Sequence, residues 1–200
     1  MSEETLFVYG SLTQGMVHYS RIAGHIENQA PAAAQGSVYR LEVGFPVFVN
    51  QGTTPVSGIL LTLKPNEVLG KLLDEFHGFS AIQPDQSLFL KTPIEVRIEG
   101  REEPVQTKTY GMNPAKLPRT AVLIGDGDWM KSLSERAPMT QGLTTNQKTY
   151  IQRLGRSTGR DIVPINLDLY RELMNKGLIV DKGRRLALTA LGQEVYRYLE

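Results

Sequence analysis

Residues 5–12 read Thr-Leu-Phe-Val-Tyr-Gly-Ser-Leu, and this stretch decides the fold of the N-terminal part. The β-branched and aromatic residues from Thr5 to Tyr9 are typical of a short strand. Gly10 and Ser11 follow directly, and both residue types favour turns. The stretch therefore predicts a first strand that runs into a tight loop.

Outward from this loop, β-branched and alternating runs predict more strands, and one segment changes to helical spacing. That segment predicts a single helix ending at Gly78, because glycine is typical just past a helix end. The predicted strands cover residues 37–42, 47–49, 56–63, 88–90, 94–98 and 105–110, and the apolar stripe of the helix is Val68, Leu69, Leu72, Leu73 and Phe76. One helix among six or seven strands predicts an α+β fold, with the helix packed against a closed or strongly curved mixed sheet.

A second part begins near residue 140, where the balance of charge changes sign. Residues 1–139 hold 12 basic and 15 acidic residues, whereas residues 140–200 hold 10 and 6. Pro138 and Gly142 interrupt regular structure between the two parts, which is typical of a joint. Apolar spacing and capping residues then predict a helix, a second helix, a two-stranded hairpin and a last helix. Their predicted ranges are 145–154, 167–176, 178–180 with 186–188, and 190–199.

Composition excludes several classes of protein. The 200 residues carry a formal net charge of +1, so overall charge does not mark the chain as a nucleic-acid binder. The absence of cysteine excludes disulfides, thiolate metal sites and a cysteine nucleophile, and it fits a cytoplasmic location. His18 and His25 lack a surrounding pattern of metal ligands, so we expect neither a metal nor another cofactor. The apolar runs are too short to span a bilayer, so we expect no membrane partner.

A series of short motifs runs in order from about residue 5 to residue 135. It opens with the Tyr-Gly-Ser-Leu of residues 9–12, and Leu73-Asp74-Glu75-Phe76 precedes Gly78 at the predicted helix end. The further segments of the series are Gly36–Leu41, Gly44-Phe45-Pro46, Val56–Leu60, Thr107–Tyr110 and Gly127-Asp128-Trp129. In sequence and order this series resembles the gamma-glutamylcyclotransferase-like superfamily.

The resemblance implies a small mixed β-barrel with one pocket, and an intramolecular reaction. In active members of the family, the α-amine of a γ-glutamyl group attacks its own γ-carbonyl, which releases an amine and forms 5-oxoproline. Backbone N–H groups of the loop hold the α-carboxylate of the substrate, and a glutamate at the helix end transfers the proton. The ligand-binding residues implied here are Tyr9, Gly10, Ser11, Leu12 and Phe89.

The chain departs from the family at the residue that the reaction most needs. His77 occupies the position of the acid–base glutamate, and Lys91 stands near the position of an arginine. A histidine before glycine at a helix end is also an ordinary structural residue, since its positive form complements the helix dipole. We therefore expect a protein that binds a small γ-glutamyl or amino-acid-like ligand with weak or no cyclotransferase activity. The alternative is an active cyclotransferase in which His77 is the catalytic base.

The Leu-Thr-x-x-Gly of residues 188–192 is similar to the step from the wing to the last helix in winged-helix domains. Three basic residues at the predicted hairpin tip are candidates for contacts with nucleic-acid phosphates, namely Lys182, Arg184 and Arg185. Two interpretations stay open for this part: a DNA-binding regulator that senses the ligand, or a module that packs or forms a homo-oligomer. The predicted domains are 1–136, a linker at 137–144, and a winged-helix-like domain at 145–200.

Overall fold

The protein is described over residues 4–64, 66–157 and 161–199 in a computed structural model, and its fold class is α+β. The chain divides into two compact units. The first unit consists of Met1–Leu41 and Phe45–Glu135, and the second consists of Glu42–Gly44 and Arg136–Glu200. Because a compact unit does not demonstrate independent folding, the domain boundaries inferred from the sequence stay predictions.

The first unit is built on one sheet. Its strands are β1 (Glu4–Val8), β2 (Ile26–Arg40), β3 (Pro46–Leu63), β4 (Phe89–Ile98), β5 (Val105–Met112) and β6 (Val122–Leu123). The strand order is β1-β3-β2-β4-β5, and β6 pairs with β2. Every pair in the described part of the chain is antiparallel.

Two of these strands form a single long hairpin where the sequence predicted separate short strands. β2 pairs with β3 along most of its length, and the register shifts between Gly36 and Ser37. A Cβ atom on Gly36 would lie 2.3 Å from the ring of Phe48, so a residue without a side chain is required there. Across this step the partner on β3 changes from Thr54 to Val49, so residues 50–53 have no partner on β2 and the ladder between the two strands is interrupted. The predicted strand boundaries were wrong because the alternation of side chains does not show where a strand continues past an interruption of its pairing.

The expectation of a mixed β-barrel was wrong. Among the described residues the sheet is open and antiparallel, with β1 and β5 at the two ends of the strand order. Side chains connect these ends: the Thr109 hydroxyl donates to the carbonyl of Phe7 at 3.0 Å, and the Thr5 and Thr107 hydroxyls are 2.9 Å apart. The sheet is therefore curved enough to bring its edges together, but no backbone ladder closes it.

Helix α1 (Glu67–His77) ends at Gly78 as the sequence predicted, and its start is fixed by Asn66. The Asn66 side chain accepts hydrogen bonds from the N–H groups of residues 68 and 69, at 2.9 and 3.4 Å. Gly78 ends the helix in the left-handed conformation, with φ of 59°. Leu69 and Leu73 are buried, but Val68 is 70% exposed, so its place in the predicted apolar stripe was wrong. Helix α2 (Trp129–Glu135), which was not predicted, follows β6.

The second unit contains the elements predicted from the sequence, in the predicted order. They are α3 (Thr145–Arg156), α4 (Leu167–Asn175), β7 (Ile179–Asp181), β8 (Leu186–Leu188) and α5 (Ala190–Arg197). Thr144 and Gln147 form a capping box that starts α3. Assignment of this unit as a winged helix stays a prediction. Across the described ranges, no helix is both long and apolar enough to span a bilayer.

Candidate functional site

His77 is the last residue of α1, and its side chain is 8% exposed. Its Nδ1 lies 2.8 Å from the carbonyl oxygen of Leu73, one helical turn earlier. Because a carbonyl oxygen only accepts hydrogen bonds, Nδ1 must carry a proton. In the neutral ring, Nε2 is then the nitrogen that holds a lone pair. The helix thereby fixes both the tautomer and the orientation of the imidazole.

Three aromatic rings surround His77, and we call these four residues the aromatic cluster. The ring of Tyr110 stacks on the imidazole, with ring centroids 4.0 Å apart and planes only 2° from parallel. Phe76 and Phe89 make edge contacts with it, at centroid distances of 4.8 and 5.4 Å. The predicted ligand residue Phe89 therefore does lie beside His77, but it is itself buried.

A carboxylate, a phenol and an ammonium group anchor one side of the cluster. The Tyr110 hydroxyl donates a hydrogen bond to Asp74 Oδ1, and Lys91 Nζ lies 3.0 Å from the same oxygen. Burial is the largest cause that raises the pKa of Tyr110 far above its usual value, followed by the hydrogen bond and charge of Asp74. Tyr110 is therefore a neutral phenol at neutral pH. Asp74 lies on α1, and its partners Lys91 and Tyr110 lie opposite each other on β4 and β5. The contact therefore joins the helix to both strands.

The predicted ligand loop, residues Tyr9–Leu12, is a tight turn at the end of β1. Gly10 has φ of 61°, and a Cβ atom there would lie 3.1 Å from the Pro46 side chain. Glycine is thus required by the backbone conformation and by packing. The carbonyl of Gly10 accepts hydrogen bonds from the N–H and the hydroxyl of Thr13, at 3.1 and 2.8 Å. Within the described residues, the N–H of Ser11 donates no backbone hydrogen bond.

Two connections join the ligand loop to the aromatic cluster. The Tyr9 hydroxyl donates to the carbonyl of Tyr110 at 3.0 Å. On the other side, the N–H of His18 donates to the carbonyl of Ser11 at 2.9 Å, and the His18 ring makes an edge contact with Phe76. The loop and the end of α1 therefore lie together in the folded chain, although about 65 residues separate them in sequence.

Sequence reasoning missed the roles of Asp74 and Tyr110, although both lie in the quoted motifs. The spacing of Asp74 and His77 was a usable signal, because residues three apart share one face of a helix. The partner of Asp74 could not be found this way, since Tyr110 lies on a distant strand. No three residues that could ligate a metal come together in the parts of the chain that the structure describes.

The three basic residues named as candidates for nucleic-acid contacts lie at the turn between β7 and β8. The turn is tight: the carboxylate of Asp181 accepts from the N–H of Gly183 at 2.7 Å, and the N–H of Lys182 donates to the carbonyl of Arg185 at 2.9 Å. Lys182, Arg184 and Arg185 are all exposed. Their role in binding nucleic acid stays a prediction.

Comparison with known proteins bears on the first unit. Residues 6–131 match the sequence model of the family described as Gamma-glutamyl cyclotransferase, AIG2-like. An aig2-like protein from Mus musculus is 18% identical, with 60% of this chain and 82% of that chain covered and a TM-score of 0.47. YkqA from Bacillus subtilis is 20% identical, with 67% and 42% covered and a TM-score of 0.49. A structure described as gamma-glutamyl cyclotransferase is 13% identical, with 88% and 100% covered and a TM-score of 0.42.

No curated protein matches the chain. The family match covers more than half of the chain and confirms the resemblance inferred from the motifs of the first unit. It ends before α3, so it does not extend to the winged-helix resemblance. On this match, the chain belongs to the gamma-glutamyl cyclotransferase, AIG2-like family.

Proposed function

We propose that the first unit binds a small γ-glutamyl or amino-acid-like ligand at the ligand loop, with weak or no cyclotransferase activity. The observation that carries this proposal is the state of His77. It occupies the family's acid–base position as a buried imidazole whose Nδ1–H donates a hydrogen bond to the carbonyl of Leu73. The site therefore keeps its loop and its aromatic walls, but has no carboxylate at the position that transfers the proton.

Ligand binding is supported by the geometry of the loop. Gly10 brings the backbone into a conformation that other residues rarely adopt, and Ser11 retains an N–H group as a donor. A carboxylate is the natural acceptor for such a donor. Aromatic rings beside the loop offer apolar contacts to the methylene groups of a γ-glutamyl chain.

Weak turnover is supported by the charges around His77. Cyclisation needs a base that removes a proton from the α-ammonium and an acid that returns it to the leaving amine. A glutamate would also attract the ammonium group, whereas a neutral imidazole does not. The neighbouring carboxylate, Asp74, is bound by Tyr110 and Lys91 and does not replace it. Acid–base assistance is typically worth about 10²–10⁴-fold in rate, so its loss leaves little turnover.

A second candidate is an active cyclotransferase with His77 as base. One observation favours it: the hydrogen bond from Nδ1 to a carbonyl is the arrangement that leaves Nε2 as the acceptor in a neutral histidine. The two candidates differ in one measurable quantity, which is the rate of 5-oxoproline release by the wild-type protein.

Calorimetric titration of the full chain tests the binding proposal. The probes are γ-glutamylglycine and 4-aminobutyrylglycine, which is the same compound without the α-carboxylate. We expect saturable binding of the first and at least about tenfold weaker binding of the second, because the N–H of Ser11 loses its acceptor. A His25→Ala variant, whose substitution lies outside the aromatic cluster, is the control and should bind like wild type. Equal binding of both probes, or no binding of either, would contradict the proposal.

For the second unit we propose a winged-helix-like module that packs against another surface. DNA binding by the unit is less favoured, because α4 carries the acidic residues Asp168 and Glu172 in addition to its basic ones. Glu172 also accepts a hydrogen bond from the Gln147 side chain at 2.8 Å, so it contributes to the packing of α3 on α4.

A further inference from the structure

Arg21 lies beside the candidate site and has no assigned role. It belongs to a short 3₁₀ turn, Tyr19–Arg21, that follows the ligand loop. Its guanidinium carbon is 5.3 Å from the centroid of the Phe76 ring, in a cation–π contact. Phe76 is part of the aromatic cluster, and its ring contacts the rings of both His18 and His77. Arg21 is therefore one aromatic ring away from His77.

Backbone hydrogen bonds hold Arg21 in register with the ligand loop. The N–H of His18 donates to the carbonyl of Ser11 at 2.9 Å, and the N–H of Arg21 donates to the carbonyl of His18 at 3.1 Å. His18 thus connects the ligand loop to the turn that contains Arg21. The stacking on Phe76 also restricts a side chain that is otherwise flexible, which lowers the entropic cost of binding a ligand.

The charges near the site are unequal. Asp74 is balanced by Lys91, and farther along the sheet Lys108 is balanced by Glu4. Arg21 is half-buried and, in the described part of the chain, makes no ion pair with an acidic side chain. A guanidinium group in this position presents planar, bidentate donors, and no carboxylate of the described residues accepts them in an ion pair.

We infer that Arg21 is a specificity-determining residue that binds a carboxylate on the amine partner of the ligand. This inference rests on the proposed function, in which the ligand loop binds the α-carboxylate of the γ-glutamyl group. The ligand class is then a γ-glutamyl compound with two carboxylates, such as a γ-glutamyl peptide with a free C-terminus. A neutral γ-glutamyl amine leaves the guanidinium without its acceptor and binds more weakly.

Calorimetry with two matched probes tests this inference. γ-Glutamylglycine carries the second carboxylate, and γ-glutamylglycinamide replaces it with a neutral amide of the same size. We expect wild type to bind the acid about 10- to 100-fold more tightly than the amide, the usual range for a charge-assisted hydrogen bond. Arg21→Gln should reduce this preference to less than about threefold, and it should do so by weakening the acid alone.

Two variants accompany the test. Arg21→Lys keeps the charge but not the bidentate geometry, so it should retain only part of the preference and also guards against a folding defect of Arg21→Gln. Arg97→Gln removes an exposed arginine on β4 and should leave the preference unchanged. If wild type binds neither probe, the proposed function fails. If wild type binds both probes equally, or Arg21→Gln weakens both equally, the role of Arg21 is wrong while the proposed function stands.

Discussion

Replacement of His77 by glutamate should weaken the fold and raise cyclotransferase activity. The variant loses the hydrogen bond from Nδ1 to Leu73, worth about 1 kcal/mol, and the stacking on Tyr110, worth about 1 kcal/mol. The new carboxylate also lies one turn from Asp74, and like charges repel. We therefore expect the free energy of unfolding to fall by about 2–3 kcal/mol, which denaturation with urea measures.

The same substitution restores the family's acid–base group. Full acid–base assistance typically raises the reaction rate by about 10²–10⁴-fold. Phe89 and Lys91 also differ from the family pattern, so the gain should be smaller. We therefore expect a partial gain of about 10- to 100-fold in 5-oxoproline release from γ-glutamylglycine or a γ-glutamyl amine. Chromatographic measurement of 5-oxoproline under saturating substrate is the assay.

His77→Gln is the matched control, because it has nearly the same shape as His77→Glu without an ionisable carboxyl group. Both variants must first be shown to be folded by circular dichroism at the assay temperature. A folded His77→Glu protein that releases 5-oxoproline no faster than His77→Gln would refute the reasoning. It would mean that the proton-transferring position has moved away from residue 77.

Three further predictions follow from other parts of the structure. Gly10→Ala should lower the free energy of unfolding by about 1–2 kcal/mol, because Gly10 has a positive φ. The loss should exceed that of Gly15→Ala, because the Cβ added at residue 10 contacts Pro46 and the one added at residue 15 contacts nothing. Equal losses in urea denaturation would exclude the packing contribution. Burial, followed by the charge of Glu42, raises the pKa of Glu194 above its ordinary value, so the stability of the wild type should fall as pH rises from about 4.5 through that raised pKa. Glu194→Gln should abolish that fall in denaturation curves, and an unchanged pH profile would show that another group causes it. If the second unit binds DNA, neutralising the hairpin tip should lower the slope of log K against log salt by at most about three. The substitutions are Lys182→Gln, Arg184→Gln and Arg185→Gln. No binding of the wild type to duplex DNA at low salt would exclude the regulator.

The local elements could be predicted from the sequence because local chemistry specifies them. Gly78 marks the end of α1 through a left-handed turn, and it could be predicted from residue type and spacing. The same holds for the order of elements in the second unit, where Thr144 and Asn166 cap their helices. Such signals depend on a few consecutive residues and need no knowledge of tertiary structure.

The arrangement of the sheet could not be predicted in the same way. Whether β1 and β5 close a barrel depends on strand tilt and register, which alternation of apolar residues does not specify. The exposure of Val68 likewise depends on which face of α1 meets the sheet. The predicted apolar stripe contains five residues, and its spacing alone does not show which edge of the stripe is exposed.

The assignment of the candidate site stays a prediction, and the contacts within it could not be predicted from the sequence. Family motifs pointed to the ligand loop and to His77, and the structure joins them through Tyr110 and Phe76. The stacking of Tyr110 on His77 and the hydrogen bond from Tyr110 to Asp74 connect a helix to a distant strand. No periodicity within either segment encodes such a contact.

A single-turnover experiment tests the central claim most directly. Wild-type protein in excess over γ-glutamylglycine is followed for 5-oxoproline, beside a His77→Ala variant and a sample without protein. The account predicts that wild type binds the dipeptide yet releases little 5-oxoproline, at a rate close to that of His77→Ala. Rapid release by wild type that collapses in a folded His77→Ala protein would contradict it, and would identify His77 as the catalytic base.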